Sequence, residues 1–232
     1  MNIGAAMDKK FPIRRAGAFT LIELLVVIAI IVVLAAIIVP LVGVTGDKKA
    51  ISTTRAEIER LSTLISVYKL KTGFYPPEPL TPQTTNAPTN SSLFYELIST
   101  VKNGNMYRND QFGIGVTSAE LNNACGISTV FNSVDATNTA SSDIEDRKVR
   151  AYSFLKEIVP RQTNTIELGW APGSPRIVVF VAPAEGPNGR TINPFYYRIG
   201  SQDNGAHNPS SFDLWAEIKT RTGTKIIGNW KD

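Results

Sequence analysis

The sequence is poor in the residues that build disulfide frameworks and catalytic pairs. Its single cysteine, Cys125, excludes a disulfide within the chain, and we expect this thiol to be a small buried hydrophobic group. The single histidine, His207, lies in a stretch rich in Gly, Asn, Pro and Ser, which is typical of a loop. A cysteine–histidine nucleophile pair is therefore not favoured.

The excess of basic over acidic residues is also small. The chain carries 24 basic and 20 acidic residues, and its formal net charge of +4 is too low and too scattered to favour a nucleic-acid partner. The sequence also has no Gly-x-Ser-x-Gly motif, no spaced set of metal ligands and no phosphate-binding loop. We therefore expect neither catalytic residues nor a metal cofactor.

One long apolar run dominates the N-terminal part of the chain. It extends from Phe19 to Val44, 26 residues in which Glu23 carries the only charge. A helix rises about 1.5 Å per residue, so a segment of this length can cross a hydrocarbon core of roughly 30 Å. Basic residues within 1–18 precede the run. We therefore predict a single-pass membrane protein with a cytoplasmic N-terminus and an exported remainder.

Other membrane signals could contain such a run. A secretory signal peptide has a shorter apolar region, of about 7–15 residues, before a small-residue cleavage site. A twin-arginine signal, suggested by Arg14-Arg15, is usually less hydrophobic, and an early glutamate is foreign to it. A plain anchor joined to an unrelated domain usually shows a flexible linker, and none is visible after the run. These three readings remain as alternatives.

Glu23 is the most informative residue of the run. An ionised carboxylate inside a bilayer costs a few kcal/mol on insertion scales, so such a residue is seldom present without a partner or a function. In one interpretation the carboxylate reaches back to the cytoplasmic interface, because Glu23 lies only one turn from the start of the run. In the other interpretation it has a charged partner.

The residues from Arg14 to Ile30 resemble the processing and assembly signature of type IV pilins and pseudopilins. The resemblance implies that a prepilin peptidase cuts between Ala18 and Phe19 and methylates the new amino group of Phe19. Glu23 would then be the fifth residue of the mature chain and would pair with the Phe19 amine of an adjacent subunit. Pro40 would kink the helix. Glycine usually precedes the cut in these proteins, whereas Ala18 stands there in this chain.

Helical periodicity continues beyond Pro40. Apolar residues recur there at spacings of three and four, namely Ile51, Ile58, Leu61, Ile65 and Tyr68. Gly73 and Pro76-Pro77 then end the pattern. We predict one helix from Phe19 to about Thr72. The predicted organisation is a leader at 1–18, a transmembrane and assembly helix at 19–45, and a globular domain at 46–232 that includes the second half of the helix.

The remaining residues predict an α+β domain. Short helices are expected at 93–101 and 148–159, with a long surface insertion at 103–145. Runs rich in β-branched and aromatic residues predict strands, at 176–182, 195–199, 212–216 and 226–230. We expect these strands to form a small antiparallel sheet laid against the long helix, which is also the pilin-like fold that the resemblance implies.

The end of the helix, from Tyr68 to Pro76, and the last strands resemble the major pseudopilins of type II secretion. Those proteins carry an acidic, Gly-rich calcium loop between their last two strands. The matching stretch here, Glu217 to Lys225, contains three cations and one carboxylate, which is a poor ligand set for a hard dication. Calcium binding is therefore not expected.

The resemblance implies a structural subunit of a type II secretion pseudopilus that polymerises through its N-terminal helix to drive protein export. The implied partners are further copies, other pseudopilins, the prepilin peptidase and methyltransferase, membrane lipid, and an inner-membrane platform with its ATPase. The filament would extend into the periplasm. The alternative is a major or minor type IV pilin for adhesion, motility or DNA uptake, although many pilins have a C-terminal disulfide that one cysteine cannot form. A membrane-anchored periplasmic enzyme is the third class.

Overall fold

The computed structural model describes residues 20–79, 92–136, 151–159, 161–167, 176–201 and 205–231, except for the side chains of 38–45. The chain divides into two compact units, Met1–Thr45 and Gly46–Asp232. The predicted leader, with Ala18 and Phe19 at its cleavage site, lies outside the described residues.

The first helix, α1, extends from Leu21 to Thr72 and contributes to both units. This agrees with the predicted helix within two residues at its start. The helix assignment continues through Pro40, and the predicted kink at that residue stays a prediction. Within the described part of the chain, no helix combines the length and the apolar character needed to cross a membrane.

The end of α1 follows from glycine geometry. Gly73 has a φ of +87°, a backbone conformation that side-chain-bearing residues rarely adopt, and its N–H donates to the carbonyl oxygen of Lys69 at 2.8 Å. Before this stop, the predicted apolar face is buried, because Ile58, Leu61, Ile65 and Tyr68 are each at most 1% exposed. The second half of α1 is therefore an amphipathic helix that packs on the domain, as predicted.

The predicted helix at 93–101 is shorter in the structure. Helix α2 covers Leu93–Leu97, and strand β1 begins at Thr100 and ends at Asn103. Ser92 occupies the N-cap position, but its side chain makes no capping hydrogen bond. The β-branched residues Thr100 and Val101 instead pair with neighbouring strands, which outweighs their weak helix propensity.

Within the predicted surface insertion at 103–145, the described residues 103–136 are instead largely folded. Strands β2 (Met106–Asn109), β3 (Ile114–Thr117) and β4 (Ser133–Asp135) join β1 in a four-stranded sheet of order β3-β2-β1-β4, in which β1 and β4 are parallel. Helix α3 covers Ser118–Cys125 and begins with a capping box between Thr117 and Glu120. Residues of this region enter the core, among them Tyr107, Val116, Leu121 and Cys125. The expectation that Cys125 is buried is thus confirmed.

The predicted helix at 148–159 is wrong for the described residues 151–159, which form neither helix nor strand. The N–H groups of Phe154 and Leu155 both donate to the carbonyl oxygen of Leu97, each at 3.0 Å. Both side chains are buried. An irregular segment can therefore bury these neighbouring apolar residues together, which the helical interpretation did not anticipate.

The C-terminal strands occur where they were predicted, but they do not form a single sheet. Strand β6 (Arg176–Phe180) pairs with an unpredicted strand, β5 (Thr163–Glu167), in a two-stranded antiparallel sheet. Strands β7 (Tyr196–Ile199), β8 (Phe212–Thr220) and β9 (Gly223–Gly228) form a three-stranded antiparallel sheet. An isolated bridge between Val181 and Pro194 links these two regions. The α+β class is confirmed, and the described residues form three small sheets in place of one.

One glycine in this region is fixed by a close backbone approach. A Cβ atom on Gly200 would lie 1.8 Å from the carbonyl oxygen of Asn208, whereas a Cβ atom on Gly46 in α1 would meet nothing within 4 Å. Gly200→Ala should therefore lower the free energy of unfolding by about 1–3 kcal/mol. The control Gly46→Ala should raise it by about 0.5–1 kcal/mol through helix propensity. Urea unfolding checks both, and an unchanged midpoint for Gly200→Ala would contradict the packing argument.

Candidate assembly segment

The start of α1 contains a complete capping box. The N–H of Thr20 donates to Oε2 of Glu23 at 2.9 Å, and the Thr20 hydroxyl donates to the same oxygen at 2.8 Å. In return, the N–H of Glu23 donates to the Thr20 hydroxyl oxygen at 3.3 Å. Two N–H groups that the helix start would leave unpaired are thereby satisfied. Glu23 is therefore held close to the helix terminus, and one of its oxygens has two donors.

Glu23 is surrounded in sequence by apolar side chains that face outward. The large hydrophobic residues between Leu21 and Ile37 are 46–82% exposed. Soluble monomers rarely expose a contiguous apolar surface of this extent, and such a surface usually marks a membrane or protein contact. The segment can therefore bury a large apolar area against lipid or against other helices, and Glu23 would be buried with it.

Thr20 is the functional residue that sequence reasoning missed. The signal was available, because Thr20 and Glu23 have the Ser/Thr-x-x-Glu spacing of a capping box directly before an apolar run. Of the predicted site residues, Glu23 is the one whose side chain is described. Ala18 and Phe19 lie outside the described residues, and so does the side chain of Pro40.

The stretch matched to the calcium loop is a tight hairpin in the structure. Glu217 pairs with Ile226, and Thr220 pairs with Gly223, which leaves Arg221 and Thr222 as a two-residue turn. The Thr220 hydroxyl closes the turn by donating to the carbonyl oxygen of Gly223 at 2.7 Å. Three cations and one carboxylate in such a hairpin do not fit calcium. Elsewhere among the described residues, no group of three or more His, Cys, Asp or Glu side chains is placed to hold a metal ion.

A buried carboxyl group joins α1 to the rest of the domain. Glu96 of α2 is fully buried and accepts hydrogen bonds from the Tyr68 hydroxyl at 2.9 Å and from the N–H groups of Phe131 and Asn132 at 2.8 and 3.0 Å. Burial raises the pKa of Glu96 from its ordinary value of 4.5 to about 7, although these three donors act in the opposite direction. These hydrogen bonds connect α1, α2 and the segment at Phe131 and Asn132.

Comparison with known proteins agrees with the sequence signature. Residues 13–39 match the family model of the prokaryotic N-terminal methylation motif. Type II secretion system core protein G of Pseudomonas aeruginosa is 35% identical over 63 residues, which cover 27% of this chain and 44% of that protein. The chain thus spans less than half the length of this relative. No solved structure matches the chain.

The methylation motif and the exposed apolar helix support a pilin-like N-terminal segment. The similarity to core protein G in addition supports a relation to the pseudopilins. Together they support a pilin-like, pseudopilin-related protein with a type IV pilin-like or pseudopilin role. The resemblance inferred from the residues between Arg14 and Ile30 is thereby confirmed.

Proposed function

We propose that the chain is a structural subunit of a type II secretion pseudopilus that polymerises through the first half of α1. The observation that carries the proposal is an exposed apolar helix in which Glu23 is the only charge, directly after a predicted peptidase site. The likeness to core protein G supports secretion over a surface pilus. The domain would act as a building block and not as an enzyme.

The apolar run from Phe19 to Val44 would hold the precursor in the inner membrane, with the leader in the cytoplasm and the Gly46–Asp232 unit in the periplasm. After a prepilin peptidase has removed the leader, Phe19 would carry a methylated cationic amine. Within an apolar bundle this amine and Glu23 of an adjacent copy would form one ion pair, which avoids two separate buried charges. Other pseudopilins and an ATP-driven membrane platform would complete the assembly machinery.

The intact mass and N-terminal sequence of the protein extracted from its native membrane test the processing step. We expect a chain that begins at N-methylated Phe19. An uncut chain, or a chain cut beyond Val44, would contradict the proposal and would return the run to an ordinary anchor or export signal. Cleavage one residue earlier, before Ala18, would correct the site and leave the class unchanged.

A second experiment separates secretion from a type IV pilus. Cells that lack the chain should accumulate exported proteins in the periplasm and should retain their surface pili. Re-expression of the unaltered chain should restore export. Loss of surface pili with normal export would favour the alternative, a pilus subunit for adhesion, motility or DNA uptake.

A further inference from the structure

Two distant parts of the chain meet at the first residues of the Gly46–Asp232 unit. Arg221, in the turn between β8 and β9, places its side-chain Nε 3.3 Å from Oδ2 of Asp47 in α1. The backbone N–H of Arg221 also donates to this oxygen, at 3.4 Å. These two contacts fix the tip of the hairpin beside Asp47.

Basic residues lie close in sequence to both partners of the contact between Arg221 and Asp47. Lys48 and Lys49 follow Asp47 in α1, and Lys225 lies on β9 four residues after Arg221. All three lysines are exposed. The four residues Lys48, Lys49, Arg221 and Lys225 are called the basic collar below. Asp47 offsets one of these four positive charges through its ion pair with Arg221.

The covalent chain limits the distance between the basic collar and the apolar run. Lys48, the first residue of the basic collar, follows Val44 by four residues, and α1 continues through both, so the two residues lie about 6 Å apart along the helix. Electrostatic attraction acts over about 8–10 Å at physiological ionic strength. If the run lies in a bilayer, the start of the basic collar is therefore within electrostatic reach of the lipid head groups.

We propose that the basic collar binds anionic phospholipid head groups on the exported side of the membrane and so holds the hairpin tip at the bilayer surface before assembly. The inference rests on the membrane insertion put forward under the proposed function. Ammonium and guanidinium groups donate hydrogen bonds to phosphate oxygens, and each cation close to an anionic membrane strengthens binding by roughly fivefold. Lys219 should contribute less to lipid binding than the basic collar does, because its ammonium lies 3.7 Å from a carboxylate oxygen of Glu185.

The test uses the full chain reconstituted in vesicles of phosphatidylcholine, with or without phosphatidylglycerol. A fluorescent donor is attached to the hairpin turn through Thr222→Cys, since the native Cys125 is buried and would not react. Energy transfer to an acceptor on the lipid head groups then reports how close the turn lies to the surface. We expect transfer to rise when phosphatidylglycerol is present and to return to the phosphatidylcholine value at high salt.

Two triple variants of the labelled chain supply the matched comparison. The rise in energy transfer with phosphatidylglycerol should disappear when three cations of the basic collar are removed, in Lys48→Gln/Lys49→Gln/Lys225→Gln. It should persist when three exposed cations outside the basic collar are removed, in Arg108→Gln/Lys156→Gln/Lys231→Gln. Both variants lower the net charge equally, so a difference in energy transfer between them shows that the position of the removed cations matters.

The outcomes separate this inference from the proposed function. Equal transfer in both kinds of vesicle, for a chain that floats with them, would overturn the lipid site alone. A chain that does not float with the vesicles would overturn membrane insertion and the lipid site together. Salt-sensitive transfer between labelled copies, without a response to phosphatidylglycerol, would make the basic collar a protein–protein contact and would also overturn the lipid site.

Discussion

Replacement of Glu23 by alanine or glutamine should abolish filament assembly and leave leader cleavage intact. In the proposed filament, loss of this carboxylate leaves the Phe19 amine of a neighbouring copy without a partner inside an apolar bundle. Removing one member of a buried ion pair costs about 3–5 kcal/mol, so filament yield should fall at least about tenfold. Sedimentation and electron microscopy measure the yield, and the intact mass measures cleavage.

The glutamine variant separates charge from helix capping. Glutamine at this position can complete a capping box with Thr20 but carries no charge. We therefore expect Glu23→Gln to fail as Glu23→Ala does. The control is Glu59→Ala, which removes an exposed glutamate from the second half of α1 and should assemble normally. Normal filaments from Glu23→Gln would contradict the ion pair and would leave capping as the role of Glu23.

Glu96→Ala should lower the free energy of unfolding by about 3–5 kcal/mol, because it leaves two buried donors and one part-buried donor without an acceptor. These donors are the Tyr68 hydroxyl and the N–H groups of Phe131 and Asn132. Urea unfolding of the full chain in detergent measures the loss. The control Glu157→Ala removes an exposed carboxylate and should change the stability by less than about 0.5 kcal/mol. Equal midpoints for the two variants would contradict a structural role for Glu96.

The same carboxyl group predicts the direction of a pH effect. Because the pKa of Glu96 rises to about 7 in the folded protein, the folded state binds this proton more tightly than the unfolded state does. Its contribution to stability is therefore full below about pH 4.5 and is lost as the pH rises through 7, a change of about 3 kcal/mol. Glu96→Gln should remove this part of the pH profile. If the free energy of unfolding depended on pH in the same way in the unaltered chain and in Glu96→Gln, the prediction would be refuted.

Sequence reasoning located the elements with strong periodicity. The apolar face from Ile58 to Tyr68 repeats at three and four residues, and the strand at Arg176–Phe180 is a run of β-branched and apolar residues. The four-stranded sheet escaped prediction because its strands are three or four residues long and include polar residues such as Asn103 and Asn109. Such short segments carry too few residues for an alternating pattern to be recognised.

The residues of the candidate sites also differ in how well the sequence alone identifies them. Glu23 was identifiable because a lone charge in an apolar run is costly, and Thr20 was identifiable in principle from its three-residue spacing to Glu23. Glu96 gave no such signal. Its partners Tyr68 and Asn132 lie 28 and 36 residues away, and only the folded chain brings the three together.

The four-stranded sheet has a consequence for the order in which the Gly46–Asp232 unit folds. All its strands lie between Thr100 and Asp135, so their pairing closes only short loops. By contrast, the Tyr197 hydroxyl donates to the carbonyl oxygen of Pro76 across 121 residues. Loop closure costs more entropy as sequence separation grows, and contacts between distant residues form more slowly. If the chain is exported α1 first, as proposed, it can therefore complete the sheet early, whereas the end of α1 stays uncovered until β7 has been exported.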